Sequence, residues 1–423
     1  MMISVIGGGY VGLVSSVCFA ELGHSVNLVE IDEEKTEAIN AAIPCMHEKG
    51  LEELLLKYVG TRLKARSDYS CVAETDISFL CVGTPSSGDG SPDLTMIESA
   101  CRMIGTSLDG RVGRHTIVVK STVPPGTTEN RLVPLVMGSS NKMLSEMGFA
   151  VNPEFLREGL AIQDFLMPDR IVIGSSDKAA GDAVEAAYRG LDLPIIRTTM
   201  ATAEMIKYAS NAFLAAKISF SNEIGNICKR LGIDAYDVLR CVGMDHRIGP
   251  HFLNAGVGFG GSCFPKDVAA LISLAEGLGE STSMLRAIMD VNERQPFKII
   301  ELLEQRAGDL MGKRIAVLGL AFKNDTDDIR DSRSIPVIRE LKRRGALVAA
   351  YDPQAIRNMR KVINGIDYCN SAAEALRMAD ACLVMTEWPE FGELDDEFDL
   401  MSSRIIIEGR RVLCCDDSEG ICW

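Results

Sequence analysis

The segment GVGFGGSCFPKD, from Gly256 to Asp267, places a thiol, a lysine and a carboxylate within a few residues of one another. Four glycines in its first six positions predict a loop whose backbone approaches a ligand closely. Cys263 follows this loop, and Lys266 lies three residues beyond it. A cation can stabilise a thiolate, and a carboxylate can act as the base for water. Covalent catalysis by Cys263 is one interpretation, and the alternative is a small buried hydrophobe, the more common role of a lone cysteine.

Further polar groups occur where an active site of an α/β protein is expected. Lys207 and Asn211 lie four residues apart in a long helical pattern, so they share a face and could donate to an oxyanion. Glu154 and Glu158 follow a predicted strand, and the segment 120–126, KSTVPPG, follows an earlier one. The carboxyl ends of parallel strands are where such sites assemble. A solvated helix face and ordinary loops are the alternatives.

The sequence GGGYVG at residues 7–12 predicts a dinucleotide site, because it follows a strand and begins a helix. Gly7 permits the tight turn, Gly9 lets a pyrophosphate approach the backbone, and Gly12 allows close helix packing. Glu30 ends the next strand, where a carboxylate accepts the ribose hydroxyls of NAD and repels the 2′-phosphate of NADP. NAD is therefore the expected cofactor.

A second unit of the same layout begins at Arg314, but its turn reads GLAFK at residues 319–323. Leu320, Phe322 and Lys323 would crowd a dinucleotide pyrophosphate, whereas an aromatic ring and a lysine suit the base and phosphate of another nucleotide. This unit is expected to bind a different nucleotide, and a degenerate fold without a ligand is the alternative.

The elements that position these residues alternate between strand and helix at both ends of the chain, with a helical middle. The pattern predicts an α/β protein with two Rossmann-like, doubly wound parallel-sheet domains joined by a long-helix central domain. We expect an NAD-binding domain at 1–198, a helical dimerisation domain with the cysteine loop at 199–296, and a second Rossmann-like domain at 297–423. The apolar long helix, from about Thr199 to Leu231, needs a partner for its second face, which predicts a homodimer or a higher homo-oligomer.

Composition limits the possible partners. The net charge of −15 argues against nucleic acid and against an anionic membrane surface. No apolar run reaches the roughly 18 residues that a membrane span needs. The thirteen cysteines are odd in number and form no paired C-x-x-C ligands, which predicts reduced thiols, no metal site and a cytoplasmic protein, with the role of the vicinal pair Cys414–Cys415 left open. His24, His47 and His115 are expected at the surface.

The motifs GGGYVG, KSTVPPGTT, NPEFLREGLAIQDFLMPDRIVIG, KYASNAFLA, GVGFGGSCFPKD and GLAFKNDTDDIRDS together resemble the UDP-glucose/GDP-mannose dehydrogenase family along almost the whole chain. The resemblance implies that Cys263 captures an aldehyde as a thiohemiacetal, which is oxidised to a thioester, with two NAD used per sugar. It implies that Lys207 and Asn211 stabilise oxyanions. It further implies that Asp267, Thr122 and Glu154 hold or activate water. Whether Lys207 or Asp267 takes the first proton stays open.

The resemblance also implies two sets of binding residues. Around the nucleotide sugar it places Phe155, Leu156, Glu158, Lys207, Asn211, Arg247, Phe252, Phe259, Gly260, Phe322, Lys323 and Arg410, with Arg247 able to come from a neighbouring subunit. Around NAD, together with the glycine motif, the expected residues are Gly7, Gly9, Tyr10, Val11, Gly12, Glu30, Lys35, Thr84, Ser121, Thr122, Glu158, Lys266 and Arg330.

Within this family, the form GFGGSCFPKD resembles that of the members that act on UDP-glucose, which implies UDP-glucose as the substrate and an acidic sugar, for polysaccharides or other uses, as the product. GDP-mannose and a UDP-N-acetylhexosamine are the alternatives with the same chemistry. A two-electron hydroxyacid dehydrogenase would leave Cys263 idle. An NAD-binding scaffold without activity would need neither Cys263 nor Lys207 nor Asp267.

Overall fold

A computed structural model describes residues 1–415 and 417–423. The chain divides into two compact units, Met1–Ser210 and Asn211–Trp423. The long helix Met200–Leu231 crosses from the first unit to the second. The finer division into three domains, with boundaries after residues 198 and 296, stays a prediction.

The strands are β1 Met2–Ile6, β2 Ser25–Val29, β3 Leu63–Arg66, β4 Ile77–Leu80, β5 His115–Val119, β6 Met147–Val151, β7 Ile171–Ser175, β8 Ile195–Thr198, β9 Arg314–Leu318, β10 Leu347–Tyr351, β11 Asp367–Tyr368, β12 Ala381–Val384, β13 Ile406–Glu408 and β14 Ser418–Gly420. The α-helices are α1 Tyr10–Glu21, α2 Glu33–Asn40, α3 Leu51–Tyr58, α4 Thr95–Ser107, α5 Val133–Gly138, α6 Ala161–Leu166, α7 Lys178–Ala187, α8 Met200–Leu231, α9 Ala235–Gly243, α10 Phe264–Gly277, α11 Ser283–Arg294, α12 Phe297–Ala307, α13 Ser334–Arg343, α14 Ile356–Met359 and α15 Ala372–Leu376.

The sheet of the first unit has the order β3-β2-β1-β4-β5-β6-β7-β8. Strands β1, β4, β5 and β6 are apolar and almost entirely buried, as expected for parallel strands covered on both faces. One pairing departs from the parallel prediction. Strand β7 runs antiparallel to β6, and the two meet only at their carboxyl-terminal residues, through the pairs Ala150–Ser175 and Val151–Gly174.

The sheet of the second unit has the order β11-β10-β9-β12-β13-β14, and all its pairs are parallel. Its core is formed by apolar strands such as β12, ACLV, which is fully buried. The central order β10-β9-β12 repeats the order β2-β1-β4 of the first unit, so β9 and β10 correspond to β1 and β2. This is the second Rossmann-like layout that the sequence predicts.

The helices of the second unit carry the loop before Cys263. Its Phe259 is buried in a small apolar cluster with Ala215 of α8, Val268 of α10 and Ile288 of α11. Helix α10 begins directly after Cys263, with a proline in its first turn, where the missing backbone N–H costs nothing.

Two histidines expected at the surface are buried instead, which corrects the sequence prediction. His115 begins β5, which lies inside the sheet between β4 and β6, so its ring cannot reach solvent. Its Nε2 lies 2.8 Å from Ser78 Oγ, and its Nδ1 lies 2.9 Å from the Thr75 carbonyl oxygen. Burial, helped by Arg111, lowers the pKa of His115 to about 4. His24 is buried as well.

Within the described residues, no helix combines the length and the apolar character needed to cross a membrane. The same part of the chain contains no group of three or more His, Cys, Asp and Glu side chains that could hold a metal ion.

Candidate active site

The glycine loop of the first unit has the geometry of a dinucleotide cradle. Gly7 has a φ of +101°, and a Cβ atom on Gly12 would overlap the Gly7 carbonyl oxygen. A Cβ atom on Gly9 would meet nothing within 4 Å, so space is open beside the backbone there. Tyr10 and Val11 form the first turn of α1, whose N-cap residue is Gly9. Glycine has no side chain that could bond to the first N–H groups of α1, and these residues fit a pyrophosphate.

Glu30 lies at the end of β2, beside this loop. Its Oε2 accepts a hydrogen bond from Gly8 N at 2.9 Å, and its Oε1 accepts one from Asp32 N at 3.0 Å. Each carboxylate oxygen can accept a further bond, which suits two ribose hydroxyls. Lys35 lies nearby in α2, half-exposed and 3.7 Å from the Asp32 carboxylate.

The carboxyl ends of β4 and β5 bring the next predicted residues together. Thr84 Oγ1 donates to the Thr122 carbonyl oxygen at 2.8 Å, and Ser121 Oγ donates to the Val82 carbonyl oxygen at 2.7 Å. The KSTVPPG segment therefore lies at the same sheet edge as the glycine loop, as the strand order requires.

Glu154 and Lys207 form a buried ion pair of 2.9 Å within the first unit. Lys207 Nζ also lies 5.5 Å from the centre of the Phe155 ring, and Leu156 N donates to the Glu154 carboxylate at 2.6 Å. Burial alone would raise the pKa of Glu154, but the Lys207 ammonium and the hydrogen bonds outweigh it, and the pKa is lowered. The pair joins two residues that the sequence analysis treated separately.

Glu48 is a residue of this region that the sequence analysis missed. Its carboxylate accepts from Tyr10 OH in the glycine motif, from Gly159 N at 2.7 Å and from Ile162 N at 3.3 Å. Gly159 directly follows Glu158, so Glu48 links the first turn of α1 to the segment that carries a predicted binding residue. Local spacing gives no signal for Glu48, since the three segments are far apart in sequence.

In the second unit, the glycine-rich loop before Cys263 lies against residues that follow β9. A Cβ atom on Gly260 would overlap the Asp331 carbonyl oxygen, and one on Gly261, at a φ of +84°, would lie 2.7 Å from the Phe322 ring. The glycines are therefore required by close contacts. They bring the predicted nucleotide residue Phe322 beside the loop of the predicted nucleophile.

Cys263 is the N-cap residue of α10, and the residue is partly exposed. The Ser262 hydroxyl lies 3.4 Å from the Cys263 sulfur, and Asp267 N donates to the Cys263 carbonyl oxygen at 2.8 Å. The N-terminus of a helix favours negative charge, so this position suits a thiolate.

Asp267 is fully buried one turn into α10, and its carboxylate is bonded on both oxygens. Asn211 Nδ2 donates to one oxygen at 2.6 Å, and Lys266 Nζ donates to the other at 2.6 Å. Asn211, Lys266 and Asp267 therefore form one cluster beside Cys263.

Arg410 follows β13 and reaches the same loop, since its guanidinium donates to the Gly258 carbonyl oxygen. The guanidinium also lies 3.4 Å from the Glu387 carboxylate. Lys323 Nζ lies 5.9 Å from the centre of the Phe322 ring. The Arg330 carbonyl oxygen accepts from Gly261 N of this loop at 2.8 Å, and the side chains of the remaining expected residues make the following contacts. The Arg247 side chain is 78% exposed and bonded to the neighbouring Asp245, Arg330 is bonded to Asp328 two residues before it, and Phe252 packs against the Phe264 ring.

Asp352 explains why the second Rossmann-like unit differs from the first. Its buried carboxylate accepts from Leu320 N at 2.7 Å, from Ala321 N at 3.0 Å and from Trp388 Nε1 at 3.1 Å. Its other oxygen accepts from two further backbone N–H groups. The N–H groups of the turn after β9, which would hold a pyrophosphate in a dinucleotide site, are thus already bonded to the protein.

Three family models match this chain in sequence order. Residues 1–192 match the NAD binding domain, 201–294 the central domain, and 316–414 the UDP binding domain of the UDP-glucose/GDP-mannose dehydrogenase family. The chain belongs to this family. The resemblance read from the motifs, the two Rossmann-like sheets with helices between them, and NAD as the cofactor are confirmed. The enzyme class is therefore an NAD-dependent nucleotide-sugar dehydrogenase.

Similar proteins match over nearly the whole length. The UDP-glucose 6-dehydrogenase AglM of Haloferax volcanii is 48% identical over 419 residues, covering 98% of this chain and 97% of that protein. The UDP-glucose 6-dehydrogenase TuaD of Bacillus subtilis is 42% identical, covering 99% of this chain and 91% of that protein. A solved UDP-glucose dehydrogenase from Pyrobaculum islandicum superposes with a TM-score of 0.95 at 42% identity, covering 100% of this chain and 98% of that one.

Proposed function

We propose that this family member oxidises UDP-glucose to UDP-glucuronate with two NAD, through a thioester on Cys263. The observation that carries the proposal is the contact of the Cys263 loop with Phe322 and Arg410, which lie in the part of the chain that matches the UDP binding domain. A sugar attached to a nucleotide bound there would extend toward the thiol. The names of two relatives that match over nearly the whole chain support UDP-glucose as that sugar nucleotide.

The residues divide the chemistry between them. NAD, when bound, accepts a hydride in each of the two oxidations. The Cys263 thiolate adds to the aldehyde carbon, and the resulting thiohemiacetal loses a hydride and a proton to become a thioester. Water then cleaves the thioester, releases the carboxylic acid and returns the thiol. A two-electron hydroxyacid dehydrogenase would have no use for a thiol at this position.

The two buried polar clusters provide the donors and the base. The Asn211 amide and the Lys207 ammonium can donate to oxyanions, which is the usual way to stabilise such intermediates. The Asp267 and Glu154 carboxylates can hold or deprotonate water, together with the Thr122 hydroxyl. The first proton can leave through Lys207 or through water on Asp267. Lys207 is ion-paired with Glu154, and Asp267 accepts a hydrogen bond from Lys266.

The test is the stoichiometry of the reaction with limiting UDP-glucose and excess NAD. We expect about two NADH per sugar for the wild type, since each of the two oxidations delivers one hydride. The Cys263→Ser variant should stop after the first oxidation or lose activity, whereas Cys241→Ser, at an exposed cysteine, should behave as the wild type. One NADH per sugar would exclude the thioester route. No NADH would direct the search to GDP-mannose and UDP-N-acetylhexosamines.

The functional form is a homodimer formed through α8. Phe213, Phe220 and Ile227 recur seven residues apart, and all three are exposed, as is Leu231. Large apolar side chains at heptad spacing form a seam that packs against another helix, and a second copy of α8 offers a self-complementary one. Sedimentation should show a dimer for the wild type and a monomer for Phe220→Glu. A monomeric wild type, or a dimeric variant, would contradict the proposal.

The cytoplasm is the compartment that fits this enzyme. All thirteen cysteines lie in the described part of the chain and none of them forms a disulfide, and such proteins belong where thiols are kept reduced. The vicinal pair Cys414–Cys415 is likewise not bridged.

A further inference from the structure

The glycine-rich loop before Cys263 has little in its own sequence that would hold its backbone in one conformation. Glycines at 256, 258, 260 and 261 give its backbone more conformational freedom than any other residue type would, and they supply no side chains to anchor it. The loop must nevertheless bring Cys263 to one position. Three buried amide side chains, here called the amide clamp and consisting of Asn222, Asn292 and Gln295, bind its backbone.

Asn292 makes the most complete contact of the clamp. Its Oδ1 accepts from Phe259 N at 2.7 Å, and its Nδ2 donates to the Phe259 carbonyl oxygen at 3.0 Å. The side chain thus satisfies both backbone groups of one residue, as a neighbouring strand would. Gly258, at a φ of +97°, has to be a glycine here, because a Cβ atom would lie 2.6 Å from Asn292 Oδ1.

The other two amides hold the start of the loop. Asn222 Oδ1, in α8, accepts from Gly256 N at 2.7 Å, and Gln295 Nε2, after the end of α11, donates to the Gly256 carbonyl oxygen at 2.9 Å. Four backbone polar groups of the loop are therefore bonded to buried side chains from two different helical segments. Because these four backbone groups find partners inside the protein, the clamp favours one conformation of the loop.

We propose that Asn292 is a positioning residue for Cys263, and that its two hydrogen bonds to Phe259 fix the path of the loop before a substrate arrives. This inference rests on the proposed role of Cys263 as the nucleophile. The thiol has to reach the aldehyde carbon and later leave the thioester open to water. A displacement of about 1 Å can cost about a hundredfold in rate even when it originates far from the reacting atoms.

The decisive variant is Asn292→Asp, measured across about three pH units around neutrality beside Asn292→Ala. A neutral carboxylic acid has one acceptor and one donor oxygen and can copy both amide bonds, whereas a carboxylate can only accept and would repel the Phe259 carbonyl oxygen. Two charged side chains face the carboxyl group that Asn292→Asp introduces. Arg333 lies near Gly258, and Arg410 donates to the Gly258 carbonyl oxygen. The kcat of Asn292→Asp relative to wild type should rise as the pH falls.

We expect Asn292→Ala to lower kcat by about tenfold or more, with the KM for NAD within about threefold of wild type, because Asn292 bonds to Phe259 and to none of the expected NAD residues. Asn40 provides the matched control, since its amide holds both backbone groups of Ala65 in the first unit, at 3.1 and 3.0 Å. Asn40→Ala should keep the wild-type kcat. Equilibrium binding of NAD and of UDP shows whether each variant is folded.

An unchanged kcat in both Asn292 variants would overturn the inference. So would a reduced kcat in Asn292→Asp that does not recover at lower pH, because the loss would then come from altered packing. If Asn292→Ala does not fold, the pH profile of kcat in Asn292→Asp still tests the positioning role of Asn292. Failure of the proposed function appears elsewhere, as one NADH per sugar in the wild type or full activity in Cys263→Ser.

Discussion

At the scale of single residues, the ion pair of Lys207 and Glu154 contributes to the free energy of unfolding and consists of two residues proposed to take part in catalysis. Both side chains are almost fully buried, with 5% and 7% of their surfaces exposed, and their charges depend on each other. The folded pKa of Glu154 is lowered, so its contribution to the free energy of unfolding is present above its unfolded pKa and is lost as the pH falls through the folded pKa.

Removal of Lys207 should therefore leave an uncompensated buried carboxylate. We expect Lys207→Met to reduce the free energy of unfolding by about 3 kcal/mol, the usual cost of breaking a buried pair from one side. The double variant Lys207→Met/Glu154→Gln should recover most of this loss, although it stays inactive. Urea denaturation at neutral pH measures both. Equal destabilisation in the single and double variants would show that the charge of Glu154 is not the cause.

His115 predicts a second pH effect with a known direction. Its folded pKa of about 4 lies below the ordinary value of 6.5, so the unfolded chain binds more protons between these values. Stability should fall as the pH drops from 6.5 to 4, by about 3 kcal/mol in total, and should not change further through this group below that range. His115→Gln should flatten this part of the profile in urea denaturation. The same slope in both proteins would assign the effect to other groups.

Residue spacing predicts members of the candidate site but not the partners to which they bond. Lys207 and Asn211 were grouped because they lie four apart on one helix, yet Lys207 pairs with Glu154 and Asn211 with Asp267. These partners lie 53 and 56 residues away in sequence, so the pairing depends on the fold and not on a local pattern. The amide clamp and Glu48 could not be predicted either, because their bonding partners are also distant in sequence.

At the scale of elements, apolar strands that alternate with clear helix signals were predictable. The strands β1 and β10 appear where such signals surround them. The missed strands include β3 with its exposed Lys64 and the two-residue β11 at the sheet edges, and also the buried apolar β12 inside the second sheet. Strands at sheet edges are stabilised by pairing with a neighbour, which local composition does not reveal.

The link made by Glu48 should matter for cofactor binding, because it joins the first turn of α1 to the segment after Glu158. Glu48→Gln replaces a charged acceptor of three hydrogen bonds, and such bonds contribute about 1.5–3 kcal/mol each. We expect the KM for NAD to rise about tenfold. Glu52→Gln, on the exposed side of α3, is the matched control and should keep the wild-type value. An unchanged KM in Glu48→Gln would limit this residue to a structural role.

At the scale of the whole molecule, the two compact units predict separate responses to the two nucleotides. NAD alone should slow hydrogen exchange within residues 1–210, around the glycine loop and Glu30, because a ligand stabilises the state that binds it. UDP alone should slow exchange within 211–423, around residues 319–323. Protection by NAD confined to 211–423 would contradict the assignment of the cofactor site.

Asp352 completes the turn of the second Rossmann-like unit with a side chain of the protein. In the first unit the open space beside Gly9 leaves room for the phosphates of a cofactor. In the second unit the Asp352 carboxylate already accepts from the N–H groups of Leu320 and Ala321 in the turn after β9. A dinucleotide analogue should therefore find one receptor per chain and not two. Selective inhibitors of the second unit would instead have to imitate a uridine nucleotide whose phosphates bind away from this turn.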